Sequence, residues 1–227
     1  MKMKIVELVY KGERKFDRKD AKLLRGYIAN RFVEIIDFHN HIDKISFNYN
    51  SPKIQYRVID GNLSIIGINE GGDLILKNLE NIRIEDIRLD GCDNKILEKE
   101  ISIKFPNMRV VDEMKEYIFD SFWIPLKVEE TQEYKRGEVH FDTKLTNNIL
   151  ELFKLCDVFA DKRIVAKGLL KEHRIMEKKV ERIVFTGRFK ANVVLPDYLA
   201  LGRRKSVGYG IIKKYNSKDK KNEDNID

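Results

Sequence analysis

Residues 54–69 read IQYRVID, then GN, then LSIIGIN. Two β-rich runs joined across Gly61 and Asn62 signal a hairpin, because a short connection that admits positive φ matches the twist of antiparallel strands. What flanks the hairpin narrows the fold further. Upstream, KIVELVY (residues 4–10) alternates as a strand. It is followed by FDRKDAKLLRGYIANRFVEII, where Ala21, Leu24, Ile28, Phe32 and Ile35 recur at helical spacing behind a candidate N-cap, Asp17. Arg18, Lys22 and Arg25 fall on a different, positive face of that helix. Downstream, GGDLILKNLEN reads as a short helix and IRIEDIRL (residues 82–89) as a closing strand.

The order β, α, β, β, α, β is the ferredoxin-like arrangement. ILEKEISIKF adds a strand near a domain boundary, and the plan then starts again. MKEYIFDSFWIPL contains a first strand and TKLTNNILELFKLCDVF an amphipathic helix. KRIVAKGLLK and VERIVFTGRF read as two strands, with KANVVLP extending the second. A turn at PDYLALG stands where a second helix belongs, and SVGYGIIKKY closes as a strand. The fold class expected is α+β, with two tandem ferredoxin-like (RRM-like, βαββαβ) domains at residues 1–110 and 111–216. Residues 217–227 are polar and aperiodic and read as a disordered tail.

Charge separates along this plan. Residues 1–60 carry a net +5, residues 61–161 a net −8 and residues 162–214 a net +11, within a total of +7. Such a basic balance favours an acidic partner, most often nucleic acid. No run approaches the roughly 20 apolar residues of a membrane helix, and Glu7 interrupts the apolar run that a signal peptide needs. Cys92 and Cys156 are too few and too far apart for a zinc site or a disulfide framework and read as core thiols. A soluble, cytoplasmic protein with no membrane partner is the expectation.

LGRRKSVGYG (residues 201–210) is the most specific local signal. Gly202, Gly208 and Gly210 surround Arg203, Arg204, Lys205 and Ser206. Glycine permits positive φ and close backbone approach, and three cations beside a hydroxyl suit a phosphate backbone. A surface turn with a charged tip is the alternative. It is not a Walker loop, since Gly-Lys-Ser/Thr and a following helix are both absent from the pattern. LPDYLALGRRKSVGYGII resembles the C-terminal glycine-rich signature of the RAMP superfamily. More narrowly, it resembles that of the CRISPR-associated endoribonucleases that cut precursor CRISPR RNA within its repeats. LLRGYIANRF, FHNH, SPKIQYRVIDGNLSIIGINEG and LTNNILELFK resemble further segments of that family in the same order, so the resemblance extends to about Lys214. The lean glycine loop, with one glycine before the basic run, departs from many relatives.

The resemblance implies CRISPR repeat RNA as partner and metal-independent cleavage without a cofactor. A 2′-hydroxyl attacks the adjacent phosphorus, leaving a 2′,3′-cyclic phosphate and a 5′-hydroxyl. It also implies active-site histidines in the segment DFHNHIDK (residues 37–44), so His39 and His41 are carried over by position, with Tyr49 as a weaker candidate. Read without it, these two histidines have three uses open to them. They could bind a metal, although Asp37 and Asp43 are the only visible helpers where about three ligands are wanted. They could move protons near neutral pH. Or they could sit at a helix end, favoured by the dipole. Residues two apart point nearly opposite ways on a helix and the same way on an extended chain, so the pair serves one site only if the helix ends near Ile36.

Lys22 and Arg25 are candidate phosphate contacts, with a solvated helix face as the alternative. His140 and His173 match no motif and read as surface or interstrand residues. Tyr117, Phe122 and Trp123 read as core, with base stacking as the alternative. A non-catalytic RAMP subunit of a CRISPR effector complex is the rival reading, a metal-dependent nuclease the more distant one, and a homodimer stays open.

Overall fold

The computed structural model describes residues 2–35, 38, 52–82, 86–89, 91–127, 129–177 and 180–216. The chain divides into two units. One comprises Met1–Pro106 with Ser206–Gly208, and the other Asn107–Lys205 with Tyr209–Asp227. The expected tail at 217–227 lies outside the described residues.

In the first unit, β1 (Ile5–Gly12), β2 (Ile54–Ile59), β3 (Asn62–Ile68), β4 (Asp86–Leu89) and β5 (Cys92–Lys104) form one antiparallel sheet ordered β2-β3-β1-β5-β4. Helices α1 (Arg18–Arg31) and α2 (Glu70–Lys77) complete it. The β2–β3 hairpin turns on Asp60 and Gly61, both at positive φ, while Asn62 already pairs with Ile59. The turn is thus one residue earlier than the sequence suggests. Asp17 caps α1 as expected, its carboxylate accepting the Lys19 N–H at 2.6 Å, and Asp20 returns the favour to the Asp17 N–H at 2.9 Å. Ala21, Leu24 and Ile28 lie buried against the sheet with Leu8, Tyr10, Ile54 and Tyr56. Each such apolar side chain contributes about 1.5–3 kcal/mol.

Two expectations are corrected here. The strand that closes the ferredoxin-like sheet beside β1 is β5, paired from Ile5↔Lys104 to Gly12↔Ile96, and not residues 82–89. Within the latter stretch β4 forms only a short ladder on the start of β5, from Asp86↔Lys95 to Leu89↔Cys92. Helix α1 also stops at Arg31, where Phe32 leaves helical geometry with φ −120° and ψ 51°. Phe32 then stacks on the buried ring of Phe38, with centroids 4.7 Å apart, so its apolar spacing served tertiary packing. In the segment IGINEGG, the glycines let α2 start directly against the hairpin. A Cβ on Gly67 would lie 2.5 Å from the Gly71 carbonyl oxygen, and one on Gly71 would lie 2.4 Å from that of Lys53.

The second unit repeats the plan with β6 (Arg109–Phe119), β7 (Ala166–Glu177), β8 (Val180–Val194) and β9 (Ile212–Lys214), ordered β7-β8-β6-β9. Helix α4 (Phe141–Leu155) packs on the sheet through Leu145, Ile149, Leu152 and Phe153, preceded by a short α3 (Thr131–Lys135). No α-helix stands between β8 and β9, as the PDYLALG turn implied. Trp123 is fully buried and its indole N–H donates to Asn148 Oδ1 at 3.0 Å, so it belongs to the core, as do Tyr117 and Phe122. His173 is an interstrand residue, with Nε2 2.8 Å from Thr186 Oγ1, and His140 precedes α4 on the surface. Cys156 is buried and its thiol is pushed up to about 12 by desolvation, whereas Cys92 is exposed at the start of the edge hairpin rather than in the core. Among the described residues, no helix is long and apolar enough to cross a membrane.

Candidate nucleic-acid interface

The loop between β8 and β9 is closed by its own backbone. Leu201 N–H donates to Gly210 O at 2.8 Å, Gly210 N–H to Phe122 O at 2.9 Å, and Arg203 N–H to Ile124 O at 3.0 Å. Gly210 adopts φ +68°, and a Cβ there would sit 1.9 Å from the Leu201 carbonyl oxygen. Gly202, at φ +80°, would bring a Cβ to 2.7 Å from Trp123 Nε1. Both glycines therefore serve the loop's approach to its own unit. Gly208 differs: it has φ +83°, but a Cβ would meet nothing nearer than 3.7 Å. That site is governed by backbone conformation.

The three cations between the glycines are not equivalent. Arg203 is exposed. Arg204 is half-buried, with its guanidinium against Glu177, a carboxylate that also holds Arg182 at 3.1 Å. Lys205 is buried, its ammonium 3.6 Å from Glu151; desolvation lowers its pKa and Glu151 opposes that shift. The run RRK thus presents one solvated cation and two that are compensated within the protein. Ser206 groups with the first unit, where its hydroxyl accepts a hydrogen bond from Arg25 Nη1 at 3.2 Å. Burial lowers the pKa of Arg25 as well. Lys22, one helical turn before Arg25 on α1, is exposed. Arg25 and Ser206 therefore come together and Lys22 lies on the same helix. His39, His41 and Tyr49 lie outside the described residues.

One residue was invisible to sequence reasoning. Arg57 on β2 is fully buried, and Gly208 lies near it, with a Cβ position 3.7 Å from its Cα. Its Nη2 donates to Gln55 Oε1, while Nε and Nη1 have no hydrogen-bond partner. The hydroxyl of Ser64, directly across the ladder, is unpartnered too. In IQYRVI, alternation alone assigns Arg57 to a polar, solvent-facing position, and no sequence signal reports that this face is buried.

The comparisons with known proteins bear on both units. Residues 1–106 match the Cas6b N-terminal domain and residues 109–215 match the Cas6b C-terminal domain. The chain belongs to the Cas6b family. A solved Cas6b structure resembles this Cas6b chain with a TM-score of 0.85 and 26% identity, over 95% of this chain and 100% of that one. A second, a CRISPR RNA processing endoribonuclease Cas6b, shares the fold with a TM-score of 0.72 and 23% identity, over 94% and 100%. An uncharacterized protein of Methanocaldococcus jannaschii is 30% identical over 139 residues, which span 58% of this chain and 93% of that protein.

Proposed function

We propose that this Cas6b chain is the endoribonuclease that cuts CRISPR repeat RNA within precursor transcripts, without a metal. The observation that carries the reading is the pair of consecutive Cas6b domains, matched across residues 1–106 and 109–215 of one chain. It is supported by the similarity to a CRISPR RNA processing endoribonuclease of the same family.

In this reading the 2′-hydroxyl upstream of the cut attacks the adjacent phosphorus. A base takes the hydroxyl proton, the bond from phosphorus to the 5′-oxygen breaks, and an acid protonates that leaving oxygen. The products are a 2′,3′-cyclic phosphate and a 5′-hydroxyl, and no water is consumed. His39 and His41 fill the two proton-transfer roles, because imidazole titrates near neutrality and serves either as base or as acid. Tyr49 is a further candidate beside them. Phosphate contacts come from the exposed Arg203 and Lys22 and from the Arg25–Ser206 pair.

Incubation with CRISPR repeat RNA in excess EDTA, followed by identification of the product ends, tests this. Cleavage that persists and leaves cyclic phosphates is the expected result. Cleavage abolished by EDTA identifies a metal nuclease instead. RNA binding with no cleavage in either condition identifies a non-catalytic RAMP subunit.

A further inference from the structure

The second unit carries a cationic patch that its own fold does not call for. On the face of the sheet opposite α4, Lys167 of β7 lies directly across from Lys190 of β8, which in turn lies across from Glu116 of β6. In the next row on the same face, Leu169 opposes Arg188, which opposes Ile118. Like charges paired across adjacent strands are destabilising, and opposite charges or apolar pairs would serve the sheet better. The only carboxylate in these rows, Glu116, is shared: 3.4 Å from Arg188 and 3.9 Å from Lys190. The row therefore keeps a cationic surplus.

The surroundings are those of a binding surface. Lys167, Lys190, Glu116, Leu169 and Arg188 line an open groove of about 610 Å³. Its apolar rim is solvent-exposed, with Leu169 at 68%, Met114 at 42% and Val165 at 40% exposure. Arg188 lies over the ring of Tyr215 at 4.6 Å, and the Tyr215 hydroxyl is buried without a partner. Phosphates suit Lys167 and Lys190, while bases suit the apolar rim and the Arg188–Tyr215 stack. The patch is also remote from the glycine loop. Glu177, which holds Arg204, and Lys167 lie ten residues apart on β7, about 33 Å at 3.3 Å per residue.

We propose that this groove is a second RNA-contact surface, holding single-stranded RNA that extends beyond the segment bound near the glycine loop. The proposal rests on the RNA-processing function given above, and its test separates the two. Lys167→Glu, on the edge strand β7, converts the opposed lysines into an opposite-charge pair and leaves the Lys190–Glu116 pairing in place, so folding is preserved or improved while the polyanion site is damaged. Lys135→Glu, an exposed residue of α3, makes the same change in net charge elsewhere and measures the general electrostatic background. The probe is a repeat RNA made uncleavable by one 2′-deoxy nucleotide at the cut, titrated at several salt concentrations. Lys167→Glu is expected to weaken binding about tenfold more than Lys135→Glu. Its log–log salt slope should shrink by about 0.7 for each lost phosphate contact. Single-turnover cleavage of the all-ribose RNA at saturating protein should stay at the parent rate, since the groove is not where the bond breaks. Equal affinity in the two variants, with Lys167→Glu melting no lower than the parent, overturns the proposal and leaves the groove to an acidic protein or to solvent. A parent chain that binds repeat RNA but does not cut it removes the catalytic reading alone. A parent that binds no RNA removes both.

Discussion

Replacing Arg57 with methionine should make the protein more stable. A fully buried guanidinium has given up its hydration, and here it recovers one side-chain partner, Gln55, while Nε and Nη1 recover none. Burial pulls its pKa below the ordinary guanidinium value, to about 10, against a smaller opposing pull from Glu7. The gap corresponds to about 3 kcal/mol of destabilisation of the charged form at neutral pH. Methionine removes that term and keeps an apolar stem of similar reach, but it leaves Gln55 Oε1 without its donor, at about 1 kcal/mol. The net expectation is about 2 kcal/mol of added stability, in line with apolar replacement of other buried charges. In a chain of this length that is about 4–8 °C in melting temperature. Thermal unfolding of parent and Arg57→Met at pH 7 measures it. The pH dependence carries a second signature. Because the folded pKa lies below the unfolded one, the unfolded state binds more protons in the window that opens at about pH 10. Parent stability therefore gains a rising contribution through that window, and the variant lacks it. A variant that melts several degrees below the parent would refute the reasoning, since it would mean that the guanidinium is satisfied where it sits.

Arg203→Ala should account for most of the RNA affinity lost on changing Arg203, Arg204 and Lys205 together, with the log–log salt slope falling by about 0.7 for each phosphate contact removed. An equal loss from Lys205→Ala alone would show that its pairing with Glu151 does not hold it back. Gly210→Ala should destabilise by about 2 kcal/mol or more, because both the positive φ and the 1.9 Å approach to the Leu201 carbonyl oppose a Cβ. Gly208→Ala should lose only about 1–2 kcal/mol, the conformational share. Chemical denaturation of the two variants checks the difference. A repeat RNA with a 2′-deoxy nucleotide immediately upstream of the cut should bind as the parent RNA does and resist cleavage, and normal cleavage of it would mean that water is the nucleophile.

Local patterns carried much of the fold. Asp17 capped its helix, the IQYRVIDGNLSIIGIN hairpin formed, and the missing helix at PDYLALG was legible because Pro196 and Gly202 interrupt any periodic run. What failed had the right period with the wrong tertiary meaning. Residues 82–89 and the run ILEKEISIKF both read as strands, and only long-range pairing decides which lies beside β1. Phe32 kept helical spacing yet follows the end of α1, because stacking on Phe38 rewards leaving the helix. The site was legible as composition and not as geometry. RRK announces positive charge, but Glu177 and Glu151, which compensate two of its three members, come from distant parts of the chain. The opposed Lys167 and Lys190 could not be paired from sequence, since register is a property of the assembled sheet.

The central claim is that His39 and His41 move the protons of an internal transesterification. Single-turnover cleavage of repeat RNA in excess EDTA by the parent, His39→Ala, His41→Ala and the double variant tests it most directly, with RNA affinity measured in parallel. Positioned acid–base catalysis contributes about 10²- to 10⁴-fold, so at least one single variant and the double variant should slow by about that factor. Affinity should remain close to the parent's, because phosphate contacts dominate it. A double variant that cleaves within about threefold of the parent, far short of an acid–base loss, contradicts the claim. Loss of affinity together with activity contradicts it equally, by returning both histidines to a structural role.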